Sequence, residues 1–212
     1  MRRLASEVPD WKLTGLDALP LACQIARERS GCAVVEGRVE ALPFADGAFV
    51  AVVSTDVLSS VEDDRAAIRE IFRVLRPGGV FIANVPAYPW LWSCHDVATN
   101  SVRRYRRNEL AGRIREAGFG EATGTYWNAL TLPLIAFRRK CLPFAPGESD
   151  VKPYAFLIDR ILGSLMRVEH AWIGLRGRWR FGCSEFAVAR KPQNNGHSEV
   201  SPSPSRKGHA SA

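Results

Sequence analysis

Apolar positions along this chain change their period from segment to segment, and each change marks an element. Met1 to Val8 carries Leu4, Ala5 and Val8 at helical spacing, and Pro9-Asp10 breaks that helix. Trp11 to Leu16 alternates as a strand that ends on Asp17. Pro20 to Arg29 returns to helical spacing through Leu21, Cys23, Ile25 and Ala26, with Gly31 as its stop. Ala33 to Gly37 predicts a short strand, and Ala41 to Gly47 a loop turning at Asp46-Gly47. Phe49 to Ser54 is an almost unbroken apolar run, the pattern of a strand covered on both faces. Ala67, Ile68, Ile71, Val74 and Leu75 then line one side of a helix over about Asp63 to Leu75. Arg76-Pro77-Gly78-Gly79 reads as the turn that follows, and Val80 to Val85 as another buried strand.

Strands alternating with helices predict an α/β fold: a Rossmann-like, mostly parallel sheet with helices on both faces. Ligands in such sheets bind beyond the carboxyl ends of the strands. Asp17, Gly37-Arg38, Ser54-Thr55-Asp56 and Pro86 all fall at those ends.

Beyond Pro86 the pattern loosens. Tyr88, Trp90 and Trp92 cluster near His95, and an arginine-rich segment follows. A helix is predicted over Asn108 to Ala117, a strand over Thr123 to Trp127, and an amphipathic or interfacial helix over Leu130 to Cys141. Pro143 to Pro153 reads as a linker, Tyr154 to Ala171 as a helix and Phe181 to Ala189 as the last strand. This organisation gives one domain over residues 1–190, with a helical and aromatic insertion over about 87–175. The Ser-, Pro-, Asn- and Gly-rich residues 191–212 are expected to be a disordered tail.

Composition narrows the setting. The 46% hydrophobic content is that of a globular domain, and no apolar run reaches the roughly 20 residues of a membrane span. Five scattered cysteines, with no C-x-x-C pair, indicate neither a zinc site nor a disulfide framework and point to a reduced, cytoplasmic protein. The net charge of +7 is uneven: residues 1–100 hold ten basic and thirteen acidic side chains, whereas 101–140 hold nine and three. Such a basic half suits nucleic acid, an anionic membrane surface or a phosphate-bearing substrate, or is simply a solvated helix face. No nucleic-acid module signature accompanies it, so nucleic acid is the weakest of these.

Four segments in order resemble the successive motifs of class I S-adenosyl-L-methionine (SAM)-dependent methyltransferases, of the type 11-like group. They are Thr14-Gly15-Leu16-Asp17; Val35-Glu36-Gly37 with Glu40-Ala41-Leu42-Pro43-Phe44; Val52-Val53-Ser54-Thr55-Asp56-Val57-Leu58; and Glu70 to Gly79. The resemblance covers about residues 1–86. It implies that Asp17 accepts hydrogen bonds from the two ribose hydroxyls of SAM, a task that suits a carboxylate's paired acceptor oxygens. It implies that Arg38 and Val39 line the adenine pocket and that Ser54 passes the cofactor, while Leu42, Pro43 and Phe44 pack. Two positions depart from the family: Arg38 stands where an acidic residue is usual, and Ser59-Ser60 where Glu-His is common. The resemblance also places a first strand and glycine loop before residue 1. The expectation is therefore a fold incomplete at its N-terminus through a misassigned start, which folds poorly and binds SAM weakly or not at all.

On the acceptor side, His95 is the candidate general base, and Tyr88 and Trp92 are candidate pocket walls. Arg104 and Tyr105, in a segment resembling the His-Asp and Arg-Arg-Tyr insertion of related enzymes, are candidates for gripping a phosphate or carboxylate. The expected activity is methyl transfer to a small-molecule or lipid-like acceptor. The alternative is a degenerate, non-catalytic domain that binds a partner or an anionic surface through its basic C-terminal half.

Overall fold

Two short parallel strands and one helix form the first unit. The computed structural model describes residues 2–141 and 156–193. After helix α1 (Arg2–Glu7), strand β1 (Thr14–Asp17) pairs in parallel with β2 (Ala33–Glu36), and α2 (Pro20–Ser30) crosses between them. Pro20 starts α2 at no hydrogen-bonding cost, and Gly31 ends it at φ +67°, a conformation that favours glycine. Cys23 is buried beneath the helix, and Arg27 fixes α2 to β2 by donating to the Val34 carbonyl at 2.8 and 3.0 Å.

The second unit is a four-stranded sheet in the order β3-β4-β6-β5, built from β3 (Phe49–Thr55), β4 (Leu75–Pro86), β6 (Ser184–Arg190) and β5 (Ala122–Trp127). β3 and β4 are parallel; β6 runs antiparallel to both β4 and β5. Helices α3 (Asp64–Val74) and α5 (Glu109–Glu116) cover one face. Asp63 caps α3 by accepting from the Ala66 amide at 2.8 Å. Ala67, Ile68 and Ile71 of α3 and Leu110 and Ile114 of α5 pack there against Phe81, Ala83, Ala187 and Ala189. Each large apolar side chain so buried contributes about 1.5–3 kcal/mol. Among the described residues β1 pairs only with β2 and β3 only with β4, so the strands end as two sheets rather than one. The loop between β2 and β3 connects them.

Two sequence expectations are corrected. Arg76 to Gly79 is not a turn separating helix from strand, because β4 begins at Leu75. Its register against β3 shifts between the Phe49–Leu75 and Ala51–Val80 pairs, and residues 76–79 are taken up as an irregularity in the ladder. Gly78 (φ +75°) supplies the backbone freedom, and a side chain at Gly79 would sit 2.8 Å from the Arg76 carbonyl oxygen. Nor does order stop at Lys191. Its amide donates to the Gly79 carbonyl at 2.8 Å and its Nζ to Phe72 and Leu75 carbonyls, each at 2.7 Å. Residues 194–212 and the Pro143–Pro153 linker lie outside the described residues.

The insertion holds α4 (Cys94–Ala98), α5, β5, α6 (Leu132–Cys141) and α7 (Phe156–Arg176). α7 runs one turn past the expected Ala171. No helix among the described residues is long and apolar enough to cross a membrane.

Candidate functional site

Asp17, Gly37, Asp56 and Pro86 stand at or just beyond the carboxyl ends of β1, β2, β3 and β4, the edge where such sheets take ligands. Asp17 is exposed there. Its Oδ1 accepts from the Leu19 amide at 2.9 Å, which fixes the carboxylate, and its carbonyl accepts from the Gly37 amide at 3.0 Å. A Cβ on Gly37 would lie 3.1 Å from Pro43 and 3.2 Å from Leu16, so the bare backbone lets the two tips close up beside that carboxylate.

The loop after Gly37 is anchored from α3. Glu70 accepts from the Leu42 amide at 2.8 Å, and Arg73 donates to the Leu42 and Phe44 carbonyls at 3.0 and 2.8 Å. Hydrogen bonding to Arg73 holds the Glu70 carboxyl below the usual range. Arg38 projects into solvent and pairs with Glu40 at 2.9 Å, so an acidic group is present two positions from where the family's pattern sought one. Val39 and Leu42 pack against the main core.

At the tip of β3, Ser54 is buried and its Oγ has no hydrogen-bond partner within the chain. Beside it Asp56 adopts φ +59°, a left-handed conformation uncommon outside glycine and often found at functional sites. Its amide donates to the Asn84 carbonyl at 2.8 Å, and its carboxylate accepts from Asn84 Nδ2 at 3.1 Å, which joins the tips of β3 and β4. Burial pushes the Asp56 carboxyl above the usual range, against the opposing pull of Asn84, Arg104 and His95. The sequence placed Asp56 at this strand end but gave it no role, and Asn84 was not singled out.

The predicted acceptor-side residues separate into two groups. Tyr88, at φ +60°, is half-buried, stacks on Tyr126 (ring centroids 5.7 Å, planes 4° apart) and lies 6.0 Å from Trp90. Trp90 and Trp92 are exposed, and His95 is half-buried on α4. Arg104 and Tyr105, by contrast, point into the protein. Arg104 is 7% exposed and donates to Asp96 at 2.8 Å and to the Ala87 carbonyl at 2.9 Å. Tyr105 is fully buried, with its hydroxyl on the Asp64 carboxylate and 3.1 Å from the Leu58 carbonyl. Arg103 donates to the Val61 and Glu62 carbonyls at 2.6 and 2.7 Å. These three residues strap the insertion to the core, and a phosphate at Arg104 would have to displace a buried ion pair.

A further buried group went unread in the sequence. Glu185 on β6 is 3% exposed, its Oε2 has no partner, and burial, with Glu109 second, pushes its carboxyl up to about 7. Its register partner Tyr126 is pushed up to about 12, mainly by burial.

Comparison with known proteins agrees with this geometry. Residues 1–83 match the family model described as a methyltransferase domain. An uncharacterized Escherichia coli protein, YafE, is 36% identical over 110 residues, which is 48% of this chain and 53% of that one. A ubiquinone/menaquinone biosynthesis C-methyltransferase of Bartonella tribocorum is 32% identical over 116 residues, 42% of this chain and 44% of the relative. The chain thus spans about half the length of these relatives. A solved SAM-dependent methyltransferase from Thermotoga maritima, described as a possible histamine N-methyltransferase, superposes with a TM-score of 0.55. It is 20% identical and covers 89% of this chain and 76% of that one, a likeness of fold.

Proposed function

We infer that this chain, whose residues 1–83 match the family model of a methyltransferase domain, is a class I SAM-dependent methyltransferase that transfers a methyl group from SAM to a small, lipid-like acceptor of the hydroquinone kind. The observation that carries this is Asp17, an exposed, backbone-fixed carboxylate at the carboxyl end of β1 with side-chain-free Gly37 beside it. SAM supplies an electrophilic methyl on a sulfonium, so the chain's task is largely positioning. Asp17 would accept from the vicinal ribose hydroxyls, and the unpartnered Ser54 Oγ offers a donor and acceptor where β3 passes the cofactor.

The acceptor class rests on two things. The Bartonella relative's own description is that of a quinone-pathway C-methyltransferase. The half-buried Tyr88, the exposed Trp90 and Trp92, and His95 follow the carboxyl end of β4 with apolar rings and one titratable group. Asp56 holds a proton more tightly than an ordinary aspartate, which suits taking one from an acceptor hydroxyl.

A second reading, of a domain that binds without transferring, draws on one observation. Asp17 and Ser54 sit on different sheets, joined through loop 37–48 rather than through a ladder. Calorimetric titration of SAM into the chain and into Asp17→Ala, followed by methyl transfer to a hydroquinone, separates the two. Binding that falls about ten-fold or more in the variant, with product formed, supports transfer. Absence of SAM binding supports the second reading.

A further inference from the structure

Helix α7 is apolar on two sides. Met166 and Ile173 are half-buried on the same side as Glu169, which is buried and accepts from the Ala129 and Leu130 amides at 3.0 and 3.4 Å. Val168, Trp172 and Leu175, spaced four and three apart, line a second stripe that is 61%, 42% and 84% exposed. That stripe continues past the helix. The Trp172 ring lies 5.9 Å from Trp179, and Trp179 lies 5.7 Å from Phe181, itself 47% exposed. Exposed Val168, Trp172, Leu175 and Phe181, joined through half-buried Trp179, form far more than the scattered apolar residues of an ordinary surface.

Charge decides what covers it. Arg178 and Arg180, both exposed, alternate in sequence with Trp179 and Phe181, and exposed Arg167 stands beside Val168. Residues 160–180 hold five arginines against one acidic residue, Glu169, which is turned inward. Two copies of this face brought together across a two-fold axis would oppose arginine to arginine. A nucleic acid would pair with the arginines and leave Leu175 and Val168 in contact with phosphate and water. An anionic bilayer surface satisfies both parts, since its phosphates accept from the arginines while the rings and aliphatic tips enter the acyl boundary. The exposed Trp172 suits that boundary, tryptophan having an apolar body and one polar N–H.

We propose that the α7 stripe with the Trp172–Trp179–Phe181 cluster docks this protein onto anionic lipid, in the plane of the membrane surface and without spanning it. Docking does not depend on methyl transfer, and a chain without SAM binds equally.

The test is flotation of the full chain with phosphatidylcholine vesicles and with vesicles that also contain phosphatidylglycerol. The chain is expected to float with the anionic vesicles only and to be released by salt. Arg178→Gln/Arg180→Gln should weaken binding by about five-fold per cation removed. Trp172→Glu/Leu175→Glu should abolish flotation while the circular dichroism spectrum is retained, because both side chains are exposed. If the second pair does not fold, the first pair decides alone. Failure to float, equal binding to both vesicle types, or wild-type flotation by a folded variant overturns the proposal. So does a concentration-dependent dimer or retention of an oligonucleotide without flotation.

Discussion

The hydroxyl of Tyr105 and the carboxylate of Asp64 meet across 41 positions of sequence, buried at the junction of the insertion and α3. Arg113 of α5 pairs with the same carboxylate and lies 5.2 Å over the Tyr105 ring, so one anion gathers three elements. Tyr105→Phe leaves Asp64 still paired with Arg113 and should cost about 1–3 kcal/mol. Asp64→Ala removes the acceptor of both Tyr105 and Arg113, with Arg113 keeping only Glu109, at 2.6 Å, among the described residues, and should cost more than Tyr105→Phe. Urea denaturation of both variants checks the order, and an equal loss would contradict the picture of a shared carboxylate.

Stability should depend on pH through Glu185. Its folded-state carboxyl is pushed up to about 7 from its ordinary value of 4.5 by burial, with Glu109 second. An acid favoured in its protonated form by folding contributes its stability fully below about pH 4.5. That contribution is lost as pH rises through about 7 and stays lost above it. The loss should be on the order of 3 kcal/mol. Glu185→Gln should flatten this part of the profile, and thermal melts from about pH 4 to about pH 8, which bracket that window, measure it.

Asp56→Asn keeps a residue that tolerates φ +59° and keeps an oxygen for Asn84 to bond, but it cannot take a proton. SAM affinity should stay near the parent value. Turnover of a hydroquinone acceptor should fall by roughly two orders of magnitude, and the limb of the pH–rate profile due to Asp56 should disappear. An unchanged profile would remove Asp56 from proton transfer.

A Cβ at Gly182 would be placed inside the van der Waals radius of the Trp127 carbonyl, which is backbone and cannot swing aside. Gly182→Ala should therefore cost roughly 1–3 kcal/mol. Hydrogen exchange should show the loss first in the β5–β6 ladder, where Trp127 pairs with Ser184.

What the sequence disclosed and what it withheld follow from range. Elements set by local chemistry were legible: Pro20 and Gly31 bound α2, and the spacing of Ala67, Ile68, Ile71 and Val74 gave α3 its buried face. The placement of Asp17, Gly37 and Asp56 at the carboxyl ends of their strands followed from strand polarity alone. Arg104 and Tyr105 were misjudged because their partners, Asp96 and Asp64, come from elsewhere in the chain, and an arginine run reads alike whether it faces solvent or a buried acid. Glu185 was missed because an acidic residue in an alternating strand looks like its solvent side. β6 is instead an inner strand with its Glu185 face beneath α5. The turn expected at Arg76–Gly79 was absorbed because ladder pairing with Phe49 outlasted two glycines.

The position of β6 governs how synthesis and folding can be coordinated. β5 leaves the ribosome more than fifty residues before β6, yet among the described residues its only ladder partner is β6, which is also the bridge to β4. A nascent chain ending before Ser184 therefore carries β5 as an orphan, with α5 packed over half a floor. Closure of the larger sheet is a late, cooperative event, and a translational pause inside α7 would prolong the interval in which that orphan is open to misplaced pairing.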